Sequence, residues 1–157
     1  LISNMAKLKN TVLHVIDGVF SKSDIENLMD HNISLLVLGY KKVGRGKSYY
    51  EKHKDDIESN ILFLKENLIS YKNFFNGFGF DTLSTSHLDL RNQVGKDTWS
   101  LYYMGDEGTY TFYIDSVNKK FALSSMEETQ YDLLDSTEEM FQFVRNLIQE
   151  DKNNDSN

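Results

Sequence analysis

The sequence predicts an α/β fold: a parallel sheet with helical crossovers, followed by an antiparallel hairpin and a terminal helix. Three observations carry this prediction. Short apolar, β-branched runs alternate with helical periodicity up to residue 82, two strand-like runs flank a polar turn at 116–119, and a capping signal at 136 opens a last apolar-periodic stretch.

Asn10-Thr11-Val12-Leu13-His14-Val15-Ile16 stops at Asp17-Gly18 and reads as a buried strand ending in a turn. Ser23 then predicts a helix cap, with Asp24 and Glu26 suiting the positive end of the dipole and Ile25, Leu28 and Met29 sharing a face. Ile33 to Tyr40 is almost continuously apolar, as a strand buried on both faces would be. Ile57, Ile61, Leu64, Leu68 and Tyr71 recur at helical spacing and predict a helix of about twenty residues from near Ser48. Gly77 to Thr82 is the third strand candidate, which completes a βαβαβ pattern with parallel strands.

The second half changes character. Residues 109–115 and 120–124 flank Ser116-Val117-Asn118-Lys119 and read as a hairpin in which Tyr110, Phe112 and Ile114 share one face. Ser136-Thr137-Glu138-Glu139 is a capping box for a helix on Met140, Phe141, Val144, Leu147 and Ile148. One domain over residues 5–150 is expected, with 151–157 a disordered polar tail; residues 1–4, ahead of Met5, are set aside.

Composition narrows the chemistry. The 157 residues contain no cysteine and no proline, where average usage would give roughly eight prolines. A disulfide scaffold, a thiol nucleophile, a zinc ribbon and a cysteine-ligated iron–sulfur cluster are excluded. A net charge of −7 disfavours nonspecific binding to duplex nucleic acid. The charge is uneven: residues 1–80 hold 11 basic against 9 acidic side chains, and residues 81–157 hold 6 against 15. No apolar run approaches eighteen residues and no signal-peptide pattern precedes Met5, so a cytoplasmic protein without a membrane span is expected.

The strongest local site candidate is the loop Lys41-Lys42-Val43-Gly44-Arg45-Gly46-Lys47. It leaves a predicted parallel strand and enters a helix, where backbone N–H groups and the dipole favour anions, so Lys41, Lys42, Gly44, Arg45, Gly46 and Lys47 form a candidate anion site. The glycine spacing matches neither a Walker loop nor a dinucleotide fingerprint, and the plain alternative is a solvated turn.

His14, His31, His53 and His87 show no metal-ligand spacing. His87-Leu88-Asp89 offers at most a local imidazole–carboxylate contact, and Asp81, Asp106 and Asp115 sit at turns where aspartate also serves as a cap. No catalytic residue, metal site or cofactor is assigned. Trp99, Tyr102, Tyr103 and Tyr113, with Asp106 and Glu107, form a candidate partner-binding set, because Tyr and Trp are enriched at interfaces and the carboxylates would favour a basic partner. Ordinary amphipathic surface is the alternative.

Several stretches taken in order resemble the carboxyl-terminal portion of phage-associated radical S-adenosylmethionine proteins. They are His14-Val15-Ile16, Leu38-Gly39-Tyr40-Lys41-Lys42-Val43-Gly44-Arg45-Gly46, Phe80-Asp81, Trp99, Met104-Gly105-Asp106-Glu107-Gly108, Tyr113-Ile114-Asp115 and Phe121-Ala122-Leu123-Ser124-Ser125. The resemblance covers most of residues 10–126 and implies a partial (βα) barrel-like parallel sheet. Members of that family hold a four-iron cluster on a Cys-x-x-x-Cys-x-x-Cys loop in their first half, and this chain has no cysteine. Reductive cleavage is therefore not expected of this chain.

The functional expectation is a noncatalytic acidic protein-binding module whose partner is a protein or nucleoprotein with a basic surface. Its sharpest form is a mobile-element inhibitor of a bacterial nucleic-acid-guided nuclease, of the anti-CRISPR kind. The alternatives are an enzyme-derived anion- or nucleoside-binding domain and a detached fragment of a radical S-adenosylmethionine enzyme. An open sheet edge makes homodimerisation or docking by strand addition a further expectation.

Overall fold

In a computed structural model, which describes residues 4, 7–8, 11–105 and 108–154, three strands form a parallel sheet. They are β1 (Val12–Ile16), β2 (Ser34–Leu38) and β3 (Gly77–Phe80), in spatial order β1-β2-β3. Val12 lies opposite Ser34 and Ile16 opposite Leu38, while Leu35 faces Phe78 and Val37 faces Phe80. That register puts Leu13, Val15, Leu35, Val37, Phe78 and Phe80 on one face, where they pack with Phe20, Ile25, Leu64, Leu68 and Leu88. Helix α1 (Lys22–Leu28) and helix α2 (Arg45–Asn67) with its 3-10 continuation (Leu68–Phe74) contribute most of those partners.

The opposite face is left open. Val12 and Ile16 are 51% and 42% exposed, His14 is exposed, and Leu36 and Leu38 are half-buried. The expectation that β2 is buried on both faces is therefore corrected: its burial alternates, because the described helices pack their apolar faces against one side. Mixed α/β architecture with a parallel sheet, a second antiparallel sheet and a terminal helix is what the structure has, and the parallel strands close no barrel.

Local chemistry sets the element ends. Ser21, rather than Ser23, caps α1: its side chain accepts from the Asp24 N–H at 3.3 Å while Asp24 Oδ2 accepts from the Ser21 N–H at 2.9 Å. The two-way capping box outweighs a single serine two residues later. Helix α2 starts at Arg45, three residues ahead of the expected Ser48, because Gly44 adopts φ 53° and turns the chain into the helix. Three short helices that the sequence pattern does not mark follow β3: α3 (Thr82–His87), α4 (Leu90–Val94) and α5 (Lys96–Tyr102). Each is too short for an apolar repeat to establish itself.

The chain divides into two compact units, Leu1–Tyr102 and Tyr103–Asn157, where the sequence reading has one domain. In the second, β4 (Tyr113–Asp115), β5 (Lys120–Ala122) and β6 (Tyr131–Asp132) form an antiparallel sheet beside α6 (Thr137–Asn154). Asp115 closes the hairpin by accepting from the Val117 and Asn118 N–H groups at 3.0 and 2.9 Å. Phe121, Met140 and Val144 are the buried core of this unit, with Phe112 packed against them. Tyr110, 69% exposed, departs from the apolar face expected of the hairpin because the strand begins only at Tyr113, and Ile114, within the strand, turns to the exposed side at 41%.

The capping box at α6 is present in both directions: the Ser136 N–H donates to Glu139 Oε2 and the Glu139 N–H to Ser136 Oγ, each at 3.2 Å. The helix runs on to Asn154, into the segment expected as a polar tail; 155–157 lie outside the described residues. No helix among the described residues is long and apolar enough to cross a membrane.

Candidate functional site

The carboxyl ends of parallel strands are where α/β sheets place ligands, because loops and helix starts converge there. In this sheet the three strand ends lead into Asp17, Gly39-Tyr40 and Asp81. Asp17 is fully buried. Its Oδ1 accepts from the Tyr40 N–H at 2.8 Å, and its Oδ2 accepts from His87 Nδ1 at 2.7 Å. A carboxylate oxygen only accepts, so the hydrogen of this contact sits on Nδ1, and Nε2 is the ring nitrogen that Asp17 does not engage.

Asp81 organises the neighbouring strand end. Its Oδ1 accepts from the Gly39 N–H at 2.9 Å and from the Ser84 N–H at 2.7 Å, so one carboxylate joins β2 to the first turn of α3. A Cβ on Gly39 would lie 2.4 Å from Leu83 Cγ, which is why glycine stands where α3 crosses. The Ser84 hydroxyl donates to the Val37 carbonyl at 2.8 Å, and that of Thr85 donates to the Asp81 carbonyl at 2.8 Å. Both hydroxyls are therefore engaged with backbone.

The basic loop is tied to the same frame by Tyr40, whose hydroxyl donates to the Gly46 carbonyl at 2.7 Å. Burial raises the phenol above its usual range, Tyr49 adds to that, and Lys42 opposes it. The glycines have backbone reasons of their own. Gly44 takes a positive φ, and a Cβ on Gly46 would lie 2.0 Å from the Lys41 carbonyl oxygen. The side chains of Lys41, Lys42, Arg45 and Lys47 stand exposed, with Lys42 Nζ 3.9 Å from the centre of the Tyr50 ring.

The partner-binding set is divided between the units. Trp99 on α5 is half-buried and packs against the core of the first unit, so most of its ring is committed to the fold. Tyr102 is 73% exposed. Tyr103 and Tyr113 belong to the second unit and are half-buried, and Asp106 and Glu107 lie outside the described residues. Leu101 and Met104, flanking the two tyrosines, are 73% and 78% exposed and were not picked out by their residue type. Gly108 is buried: a Cβ there would lie 2.4 Å from Leu123 and 2.6 Å from Ile148.

The Asp17–His87 pair is the feature that sequence reasoning missed. Asp17 reads as half of an Asp-Gly turn, and the imidazole finds its carboxylate 70 positions away rather than at Asp89. The one available signal was a strand ending directly in aspartate. Among the described residues no group of three or more His, Asp or Glu side chains is placed to hold a metal ion. No known protein family, curated protein or solved structure matches the chain.

Proposed function

We propose that the chain is a ligand-binding module derived from a partial (βα) barrel of the radical S-adenosylmethionine kind, and that the carboxyl edge of its parallel sheet takes an anionic or nucleoside-type ligand. The observation that supports this most is the frame around Tyr40, which joins the loop of Lys41, Lys42, Arg45 and Lys47 to the buried Asp17 at the strand end. Cations starting from a fixed backbone hold an anion with less loss of freedom than cations on a loose loop. The open sheet face agrees with a barrel portion, since parallel sheets are ordinarily covered on both sides. With no cysteine, the chain offers no thiolate for an iron cluster, so binding is its proposed activity.

Calorimetry with inorganic phosphate, nucleotides and S-adenosylmethionine tests this reading. Arg45→Ala is expected to weaken binding about 10–100-fold, in line with loss of one charge-assisted hydrogen bond. Superimposable wild-type and Arg45→Ala isotherms would remove the loop from the site.

A second reading is favoured by a separate observation: Leu101 and Tyr102, adjacent at the end of the first unit, each leave more than 70% of their surface exposed. Exposed aromatic and aliphatic side chains of this kind anchor protein partners. In that reading the chain is an acidic, cytoplasmic protein-binding module with a basic partner, and the guided-nuclease inhibitor is its sharpest form. Tyr102→Ala should abolish capture of such a nuclease, and absence of any association at micromolar concentration would sink it.

A further inference from the structure

We propose that His87 is a phosphoryl-acceptor site, whose Nε2 takes a phosphoryl group from a small acyl phosphate drawn to the basic loop. The inference rests on reading the carboxyl edge as an anion site.

The geometry of the ring carries it. Asp17 is fully buried and holds Nδ1 at 2.7 Å, while the imidazole side chain keeps 26% of its surface exposed. Among the described residues Nε2 has no hydrogen-bond partner and no buried side-chain nitrogen or oxygen lacks one, so Nε2 lies on the solvent side. A buried carboxylate behind the ring fixes the nucleophilic tautomer and stabilises the positive charge that grows on the imidazole during attack.

The neighbouring nucleophiles are otherwise committed. The Ser84, Thr85 and Tyr40 hydroxyls all donate to backbone carbonyls, and the chain has no thiol. The donor's charge is also provided for. One carboxylate holds both His87 and the backbone of Tyr40, the residue before Lys41, so the loop's cations spring from the frame that orients the imidazole. A phosphoryl group beside several cations is neutralised and attracted there.

In the step itself the Nε2 lone pair forms the N–P bond as the P–O bond to the acyl oxygen breaks, and the carboxylate leaves with that electron pair. The ring then carries the phosphoryl group on Nε2 and keeps its Nδ1 hydrogen bond to Asp17, whose carboxylate offsets the positive charge of the phosphorylated imidazolium.

The test incubates the full chain with acetyl phosphate and locates the label by peptide mass spectrometry under alkaline conditions. One acid-labile phosphoryl group on His87 is expected, absent in His87→Gln. Asp17→Asn should slow labelling by roughly 10–100-fold, as loss of an orienting partner does. Circular dichroism checks that this variant is folded, and if it is not, Arg45→Ala, slower at low acetyl phosphate and equal to wild type at saturation, serves in its place. No label on His87, or label shared evenly with His14, His31 and His53, overturns the inference. Phosphate calorimetry on the same samples separates it from the broader reading: binding without labelling leaves the anion site standing alone, and labelling without binding does the reverse.

Discussion

Tyr40 concentrates the site's residue-scale physics, since its N–H, its hydroxyl and its ring each have a separate task. Burial is the main cause of its raised pKa, with Tyr49 second and Lys42 opposing. The sign follows from linkage: the fold favours the neutral phenol, so its contribution is whole below the unfolded value near pH 10 and is lost as pH rises above that. Tyr40→Phe should cost about 0.5–1.5 kcal/mol at neutral pH through the lost bond to Gly46, and should flatten the alkaline fall in stability. Urea melts at pH 7, 10 and 11 check both parts. Asp115 shows the opposite case, its carboxyl held low chiefly by the Asn118 backbone and side chain, so its contribution is present above the unfolded value and lost as pH falls through the folded one. Of these roles, only the turn-forming one of Asp115 was legible, because a local hydrogen bond leaves a local sequence signal and the contacts of Tyr40 with Asp17 do not.

At the scale of elements, the one-sided sheet makes the sharpest difference between neighbours. Leu35 is 1% exposed on the helix-covered face, whereas Val12 on the edge strand is 51% exposed on the other. Leu35→Ala should destabilise the first unit by about 2–5 kcal/mol, through lost transfer energy and a cavity. Val12→Ala should change it by less than about 0.5 kcal/mol. Equal costs, measured by chemical denaturation, would mean that the open face is buried in solution. The three parallel strands, α2 and the α6 cap were readable because each repeats a pattern over several residues or carries a two-way cap. Helices α3 to α5 and β6 were not, since elements of two to seven residues take their conformation from what they pack against.

For the molecule as a whole, two cores imply two stabilities. The first unit holds 13 basic against 12 acidic side chains and the second 4 against 12, so the acidic excess belongs almost wholly to the second. Val144, fully buried in the second core, gives a direct check: Val144→Ala should cost that unit about 2 kcal/mol while leaving hydrogen exchange in β2 unchanged. Faster exchange in β2 would show one cooperative body instead. By itself the sequence determined the α/β class, the strand order in the chain, the basic loop and the absence of thiol chemistry, because periodicity, turn residues and composition are local or summed properties. Tertiary structure alone decided that the sheet is covered on one face and that Asp17 meets His87, since both depend on which distant segments pack together. A side chain's chemistry is set by the partner folding brings to it, and that partner lies here 70 residues along the chain.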